Sequence, residues 1–201
     1  MTHAFIPGFL LGLSLIMAIG AQNAFILRQG LRGQFVFSLA LTCAASDALL
    51  IAAGVAGFSK FMEAMPWLGP AMRYLGAAFL IAYGARSLWS AWRIKEGLNP
   101  VDASAQAFWP TILTCLALTW LNPHVYLDTI VLLGSISNQY GEEAWVFGLG
   151  AVTASFVFFF SLGYGARVLR PIFARPTSWR ILDVIIAIVM WSIAAGLLIG
   201  D

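Results

Sequence analysis

Charged residues are scarce in this chain. Only 10% of its 201 residues are Asp, Glu, Lys or Arg, against about 25% in an average soluble domain, whereas 61% are hydrophobic. A water-soluble fold cannot hide so much apolar surface, so the solvent around most of the chain must be lipid. The net charge of +2 is too small to indicate a nucleic-acid partner, and we expect none.

Cysteines and catalytic signatures are also scarce. The two cysteines, Cys43 and Cys115, lie in apolar segments and show neither a disulfide framework nor the CxxC spacing of a metal site. The chain has no nucleophile motif and no glycine-rich phosphate loop. We therefore expect no enzymatic activity, no cofactor and no resident metal. The start of the chain lacks a basic region and its apolar run is too long for a removable signal peptide, so it is interpreted as a first membrane span.

Six apolar segments have about the 20 residues that a transmembrane helix requires. They cover approximately residues 4–27, 35–58, 66–92, 107–136, 144–166 and 181–200. The third segment contains Arg73 and Arg86, whose long side chains can reach opposite interfaces. The predicted fold is therefore an all-α, polytopic membrane protein that forms a single transmembrane domain over residues 1–201. A five-span alternative, without the third segment, stays open.

The distribution of basic residues predicts the orientation, because cytoplasmic loops are enriched in Lys and Arg. Nine of the eleven basic residues follow the first, third and fifth spans: Arg28, Arg32, Arg86, Arg93, Lys95, Arg167, Arg170, Arg175 and Arg180. Only Lys60 and Arg73 fall on the other side. With six spans, both termini are predicted outside, in the periplasm or the extracellular space.

The chain divides into two halves of three spans each, about residues 1–102 and 103–201. An odd number of spans per half inserts the halves in opposite orientations, which is the arrangement of an inverted repeat. The first span of each half carries a polar interruption, Gly20–Asn23 in span one and Thr119–His124 in span four. Pro123 lacks a backbone N–H, and freed backbone groups at membrane depth must face protein or a wet cavity. We therefore predict that helices one and four are broken.

Two aspartates are predicted to lie deep in the membrane. Asp47 falls near the middle of span two and Asp128 falls five residues after Pro123, with no Lys or Arg at a comparable depth. A shared proton, a bound cation or a cationic substrate would each stabilise them. The structural alternative is local hydrogen bonding, for Asp47 to Ser46 or Thr42. A third aspartate, Asp183, lies near an interface beside Arg180, where a surface pair is expected.

The two interruptions also carry a family resemblance. Gly20-Ala21-Gln22-Asn23-Ala24-Phe25, followed by Leu27-Arg28-Gln29-Gly30, resembles the first signature of the LysE-type basic amino-acid exporters, and Trp120-Leu121-Asn122-Pro123-His124-Val125-Tyr126-Leu127-Asp128-Thr129 resembles the second. The resemblance implies a bacterial inner-membrane secondary carrier that exports lysine, arginine or both, driven by the membrane potential or a proton gradient. The related homoserine and threonine exporters are less similar, since they tend to carry Pro-Gly-Pro where this chain has Gly20-Ala21-Gln22.

The expected substrate site lies between the halves, near the bilayer midplane. The substrate carboxylate is expected to meet backbone N–H groups and side-chain amides at the breaks, and its side-chain cation to meet the deep aspartates. The predicted site residues are Gln22, Asn23, Asp47, Asn122, Pro123, Tyr126 and Asp128. Tyr126 is included because it lies four residues after Asn122, on the same face of an unbroken helix.

Four alternatives stay open. Pairs four residues apart, His124 with Asp128 and Cys43 with Asp47, can present ligands for a divalent metal or other small cation, which would then be the exported species. Neutral amino acids such as homoserine or threonine are a second substrate class. A channel and a membrane enzyme that uses Asp47, Asp128 and His124 as acid–base groups are the other two.

The expected partners are the basic amino acid and the lipid bilayer, and a homo-oligomer is left open.

Overall fold

The chain is helical throughout the part that the structure, a computed structural model, describes, which is residues 2–17, 20–57, 67–93 and 107–199. No strand occurs in these ranges. The helices are α1 (Thr2–Met17), α2 (Ala21–Arg32), α3 (Val36–Val55), α4 (Leu68–Arg93), α5 (Phe108–Trp120), α6 (Pro123–Tyr126), the π-helical segment π1 (Leu127–Leu133), α7 (Gly134–Ser137), α8 (Ala144–Gly165) and α9 (Pro176–Ile199). Short 3-10 turns, Asn138–Glu143, Ala166–Leu169 and Ile172–Ala174, connect some of them.

The first break separates α1 from α2, whose axes differ by 80°. Gly20 precedes α2 in an extended conformation, with φ −113° and ψ 171°. The side chain of Asn23 reaches back across the break and donates from Nδ2 to the carbonyl oxygen of Ile16, at 2.7 Å. This bond satisfies a carbonyl in the last turn of α1 that has no partner within its own helix.

The second break follows α5. Asn122 leaves the helical conformation, with φ −93° and ψ 107°, and its Oδ1 accepts a hydrogen bond from the His124 N–H at 3.1 Å. Pro123 then occupies the first position of α6, where a missing N–H costs no hydrogen bond. The Tyr126 hydroxyl closes the break by donating to the carbonyl oxygen of Trp120 at 2.8 Å. Pro123 therefore begins a new helix at the position where the sequence predicts a break.

Residues 123–137, which we call the post-break helix, contain α6, π1 and α7 in succession. Asp128 lies in the π-helical segment, where the wider turn changes the spacing of side chains along the face. The chain reverses direction after this helix at Gly141, whose φ of +53° suits glycine. The post-break helix and α8 are therefore separate elements joined by a turn.

Two parallel contacts join the halves. In the first, α1 runs alongside α8, because Gly8 contacts Phe147 and Gly12 contacts Ala151 with no space for a larger side chain. In the second, α5 and the post-break helix run alongside α3. There the backbones approach closely where Gly54 meets Gly134. Small residues at such crossings let helices approach closely in a membrane.

Two antiparallel contacts complete the bundle. Helices α3 and α8 meet at Asp47 and Ser155. Helices α4 and α9 run side by side in opposite directions along their lengths. The start of α4 meets the end of α9 where the Arg73 guanidinium donates to the carbonyl oxygen of Leu198 at 3.2 Å, and the end of α4 meets the start of α9 where Arg180 Nε donates to Ala91 at 3.2 Å.

The helices have the composition of a membrane protein. Three helical stretches in the described ranges are long and apolar enough to cross a bilayer: Val36–Val55, Pro176–Ile199, and Pro123–Leu169, which contains both the post-break helix and α8. The bent pair α1–α2 gives a fourth if it is counted as one broken span. Helix α5 is apolar but has only 13 residues before its break. Large apolar side chains remain exposed on the outside, including Leu49, Trp109 and Ile188 at 60% or more. Such a surface fits a polytopic protein in lipid.

Asp183 corrects one expectation. The sequence suggested a surface pair with Arg180, but Asp183 is only 1% exposed and forms a salt bridge with Arg28 of α2, with 3.1 Å between Oδ1 and a guanidinium nitrogen. Arg28 is itself 8% exposed. The helical register of α9 turns Asp183 toward the bundle, where α2 extends the first span to Arg32 and places Arg28 opposite it. The pair therefore ties α2 to α9 inside the protein.

Candidate functional site

A cavity of about 310 Å³ lies between the two helix breaks. Small-molecule sites typically have volumes of about 300–1,000 Å³. Its wall contains Gly20, Gln22 and Asn23 from the first break, together with Asn122, His124, Asp128 and Thr129 from the second, and Asp47 from α3. Apolar side chains such as Leu15, Ile51 and Phe159 line the remainder. Five of the seven predicted site residues thus line one cavity.

Asp47 is held by a helix from the other half of the chain. Its side chain is buried, and the Ser155 hydroxyl of α8 donates to Asp47 Oδ2 at 2.7 Å. Ser46 and Thr42, the two donors expected from the sequence, do not bond to Asp47. Thr42 donates to the carbonyl oxygen of Ser38, and Ser46 accepts from the Trp120 indole nitrogen at 3.1 Å. A single hydroxyl donor leaves most of the acceptor capacity of the carboxylate for other groups.

Asp128 is more open than Asp47 and has a different surrounding. It is half-buried on the cavity wall, and within the described residues its carboxylate forms neither a hydrogen bond nor an ion pair. His124 precedes it by four residues and lines the same cavity. No Lys or Arg is found among the described residues of the wall. The described wall therefore carries two carboxyl groups and the His124 imidazole, without the permanent positive charge of a Lys or Arg.

The first break supplies hydrogen-bond donors, in contrast to the acidic groups of Asp47 and Asp128. The Gln22 side chain is 8% exposed, and its Nε2 has no hydrogen-bond partner in the described structure apart from the adjacent Cys43 thiol, a weak acceptor. Helix α2 begins at Ala21, so the N–H groups of its first turn lie at the cavity edge and lack helical acceptors. Helix N-termini of this kind stabilise carboxylates.

Two predicted site residues do not line the cavity. Pro123 starts the post-break helix, and the Tyr126 hydroxyl donates to the Trp120 carbonyl oxygen. Both residues therefore determine the conformation of the break. Ser155 and Thr129, by contrast, were not among the predicted site residues. Ser155 lies in a Phe-rich, charge-free segment 108 residues from Asp47, and its only signal in the sequence is that it is one of the few hydroxyl residues there.

The residues proposed as metal ligands are divided between two places. Cys43 faces Cys115, with 3.2 Å between the two sulfur atoms, whereas His124 and Asp128 lie on the cavity wall. Within the described residues, no group of three or more His, Cys, Asp or Glu side chains is arranged to hold a metal ion.

Comparison with known proteins assigns the chain to a family. The family model described as LysE type translocator matches residues 13–201. The chain belongs to the LysE-type translocator family. The resemblance seen in the two break motifs is thereby confirmed. No solved structure matches the chain.

Named relatives cover nearly the whole chain. The "Putative amino-acid transporter Mb0498" of Mycobacterium bovis is 44% identical over 187 residues, which is 93% of this chain and 92% of the relative. The "Arginine exporter protein ArgO" of Salmonella paratyphi A is 42% identical over 196 residues, or 96% of this chain and 92% of the relative. The protein of that name in Salmonella typhimurium shows the same identity and coverage.

Proposed function

We propose that this protein is a secondary active transporter that exports basic L-amino acids, arginine, lysine or both, across the bacterial inner membrane. The observation that carries the proposal is the cavity between the two breaks, which has two carboxylates and neither Lys nor Arg among its described wall residues. Membership of a translocator family and the similarity to proteins named arginine exporters support it.

The charges of the cavity match a basic amino acid. An uncompensated aspartate deep in a bilayer costs about 2.5–3.5 kcal/mol on insertion scales, so a group that neutralises it is strongly favoured. A guanidinium or ammonium side chain supplies that charge at Asp47 and Asp128. The substrate carboxylate then meets the start of α2 and the amides of Gln22, Asn23 and Asn122. A zwitterion with an extra positive charge satisfies both ends of the site.

Inverted repeats and alternating access form the mechanistic part of the proposal. Helices α3 and α8 begin 108 residues apart, and so do α4 and α9. Each of these pairs is antiparallel, whereas the broken helix of either half runs parallel to the second helix of the other half. Exchanging the halves preserves this pattern, as a two-fold axis in the membrane plane requires. Rocking of one half against the other would expose the cavity to each side in turn.

Six spans with both termini outside complete the proposed topology. The antiparallel pairing of α4 with α9 supports a crossing by α4, because α9 is itself long and apolar enough to span. Reporter fusions at each terminus test this: both are expected to report the periplasm. Termini on opposite sides would instead favour the five-span alternative, in which α4 does not cross.

Counterflow in proteoliposomes tests the substrate class. Vesicles loaded with unlabelled arginine or lysine should accumulate labelled arginine and lysine saturably, and should not accumulate threonine or a divalent metal. Imposed membrane potentials and proton gradients, applied separately, then identify the driving force. Conduction without saturation or counterflow would indicate a channel, and transport of threonine alone would assign the chain to the neutral substrates.

Export of a small divalent cation is the second candidate. The observation in its favour is that His124, Asp128 and Asp47 share the cavity wall. Their oxygen and imidazole ligands suit several divalent metals. Accumulation of Mn²⁺ or Zn²⁺ without arginine in the same counterflow experiment would select this candidate.

A further inference from the structure

The two cysteines contact each other across the two halves of the chain. Cys43 of α3 and Cys115 of α5 are both fully buried, and their sulfur atoms lie 3.2 Å apart. They are the only cysteines in the chain. They are 72 residues apart in sequence and belong to different halves, so only the fold brings them together. The proposed transport cycle does not use either thiol.

The surroundings connect this thiol pair to the transport site. Cys43 precedes Asp47 by one helical turn and lies beside the Gln22 side chain, which lines the cavity. Cys115 lies in the half-helix that ends at the second break. One turn further along, the Trp120 indole donates to Ser46 at 3.1 Å and joins the same two helices again. A covalent bond at the cysteines would therefore fix α3 to α5 directly beside the cavity.

We propose that Cys43 and Cys115 are an oxidation-sensitive thiol pair whose disulfide locks the two halves together and stops transport. Bond formation requires the sulfur atoms to approach by about 1.2 Å, since a disulfide has an S–S length of about 2.05 Å. The inhibitory part of this proposal rests on the proposed transport function, whereas formation of the disulfide does not.

Hydrogen peroxide is the oxidant class that suits the site, because it is small and uncharged and because Cys43 lies beside Gln22, a residue of the cavity wall. One thiol attacks a peroxide oxygen, the O–O bond breaks, and a sulfenic acid and one water form. The second thiol then attacks the sulfenic sulfur, and a second water leaves as the S–S bond forms. Two thiols lose two protons and two electrons in total, and the peroxide is reduced to two waters.

The test uses the purified full-length protein in proteoliposomes, with and without hydrogen peroxide. The titratable thiols should fall from two to none, the mass of the monomer should fall by about 2 Da, and dithiothreitol should reverse both changes. Arginine counterflow should fall by about tenfold or more in step with the disulfide and recover on reduction. Cys43→Ala and Cys115→Ala should transport arginine and resist inhibition by peroxide, and serine variants serve if alanine impairs folding.

Several results would overturn the proposal. Two thiols that persist in wild-type protein under peroxide would show that the pair is only a packed thiol contact, and this measurement needs no variant. Disulfide-linked dimers, or a disulfide that leaves counterflow unchanged, would also contradict it. A reduced protein that transports no arginine but forms the intramolecular disulfide would contradict the proposed function and leave the oxidisable pair standing.

Discussion

The buried aspartates of this protein occupy two different settings. Asp183 is 1% exposed and lies against Arg28, so its charge is neutralised within the bundle at the contact between α2 and α9. Asp47 and Asp128 line a cavity whose described wall residues include neither Lys nor Arg. Asp47 accepts one hydrogen bond from Ser155, and Asp128 is half-buried without a bonded neighbour in the described ranges.

The contrast separates structural from functional charge. A buried charge that is already paired gives a ligand little additional binding energy. Removing one partner of the pair strongly destabilises the fold. The negative charge of an unpaired carboxylate at a cavity can be neutralised by a cation that binds there. We therefore expect substitutions at the Arg28–Asp183 pair to act first on folding, and substitutions at the cavity aspartates to act on transport.

The largest effect on stability is expected at the pair. Asp183→Asn leaves the Arg28 charge buried without its partner and should lower the free energy of unfolding by about 3–5 kcal/mol. Thermal unfolding of the purified protein in detergent measures this as a lower melting temperature. Asp128→Asn is the matched control and should melt close to wild type.

The double variant Arg28→Met, Asp183→Leu refines this comparison, because it removes both charges and keeps apolar volume. It should recover most of the lost stability. A melting temperature for Asp183→Asn equal to that of wild type would show that the pair contributes nothing, and the distinction between the two settings would fail.

A smaller effect is expected at Ser155, the donor to Asp47. Ser155→Ala removes a hydrogen bond to a carboxylate, worth about 1.5–3 kcal/mol. We expect arginine counterflow to weaken by about tenfold, because the Asp47 carboxylate is no longer held toward the cavity. Thr153→Ala, two residues earlier on α8, removes an exposed hydroxyl that bonds only within its helix and is the matched control. Equal transport by both variants would separate Ser155 from the site.

The smallest effect on stability is expected at Asn122, which has two separable roles. Its Oδ1 caps the post-break helix, and Asn122→Ala should cost about 1 kcal/mol in the free energy of unfolding. Asn122→Ser keeps the cap and removes the amide, so its melting temperature should remain near that of wild type. Arginine transport should fall in both variants. Normal transport in Asn122→Ser would restrict the residue to capping.

The sequence predicts the helical fold and the two breaks well, because their signals are local. Apolar runs define membrane helices, and Gly20 and Pro123 mark where hydrogen bonding along a helix must stop. The same local logic predicted five residues that line the cavity. It did not specify the new helix that Pro123 begins, whose first turn is capped by Asn122.

Contacts between segments that are distant in the chain could not be predicted from the sequence. The partner of Asp183 is 155 residues away, and the donor to Asp47 is 108 residues away. Asp183 was assigned to Arg180 only because that arginine is close in sequence. Tyr126 was placed on the face of Asn122 by regular helical spacing, but Asn122 lies at the break, outside the helix Pro123–Tyr126. Such pairings depend on how helices pack, which composition and periodicity do not specify.

Arginine counterflow in Asp47→Asn and Asp128→Asn proteoliposomes tests the central claim most directly. Both variants keep side-chain volume and remove only the negative charge, and their melting temperatures verify that they are folded. The account predicts that each loses about tenfold or more of arginine and lysine counterflow, as expected when a charged hydrogen bond to the substrate is removed. Counterflow of both amino acids at the wild-type rate in both folded variants would contradict it.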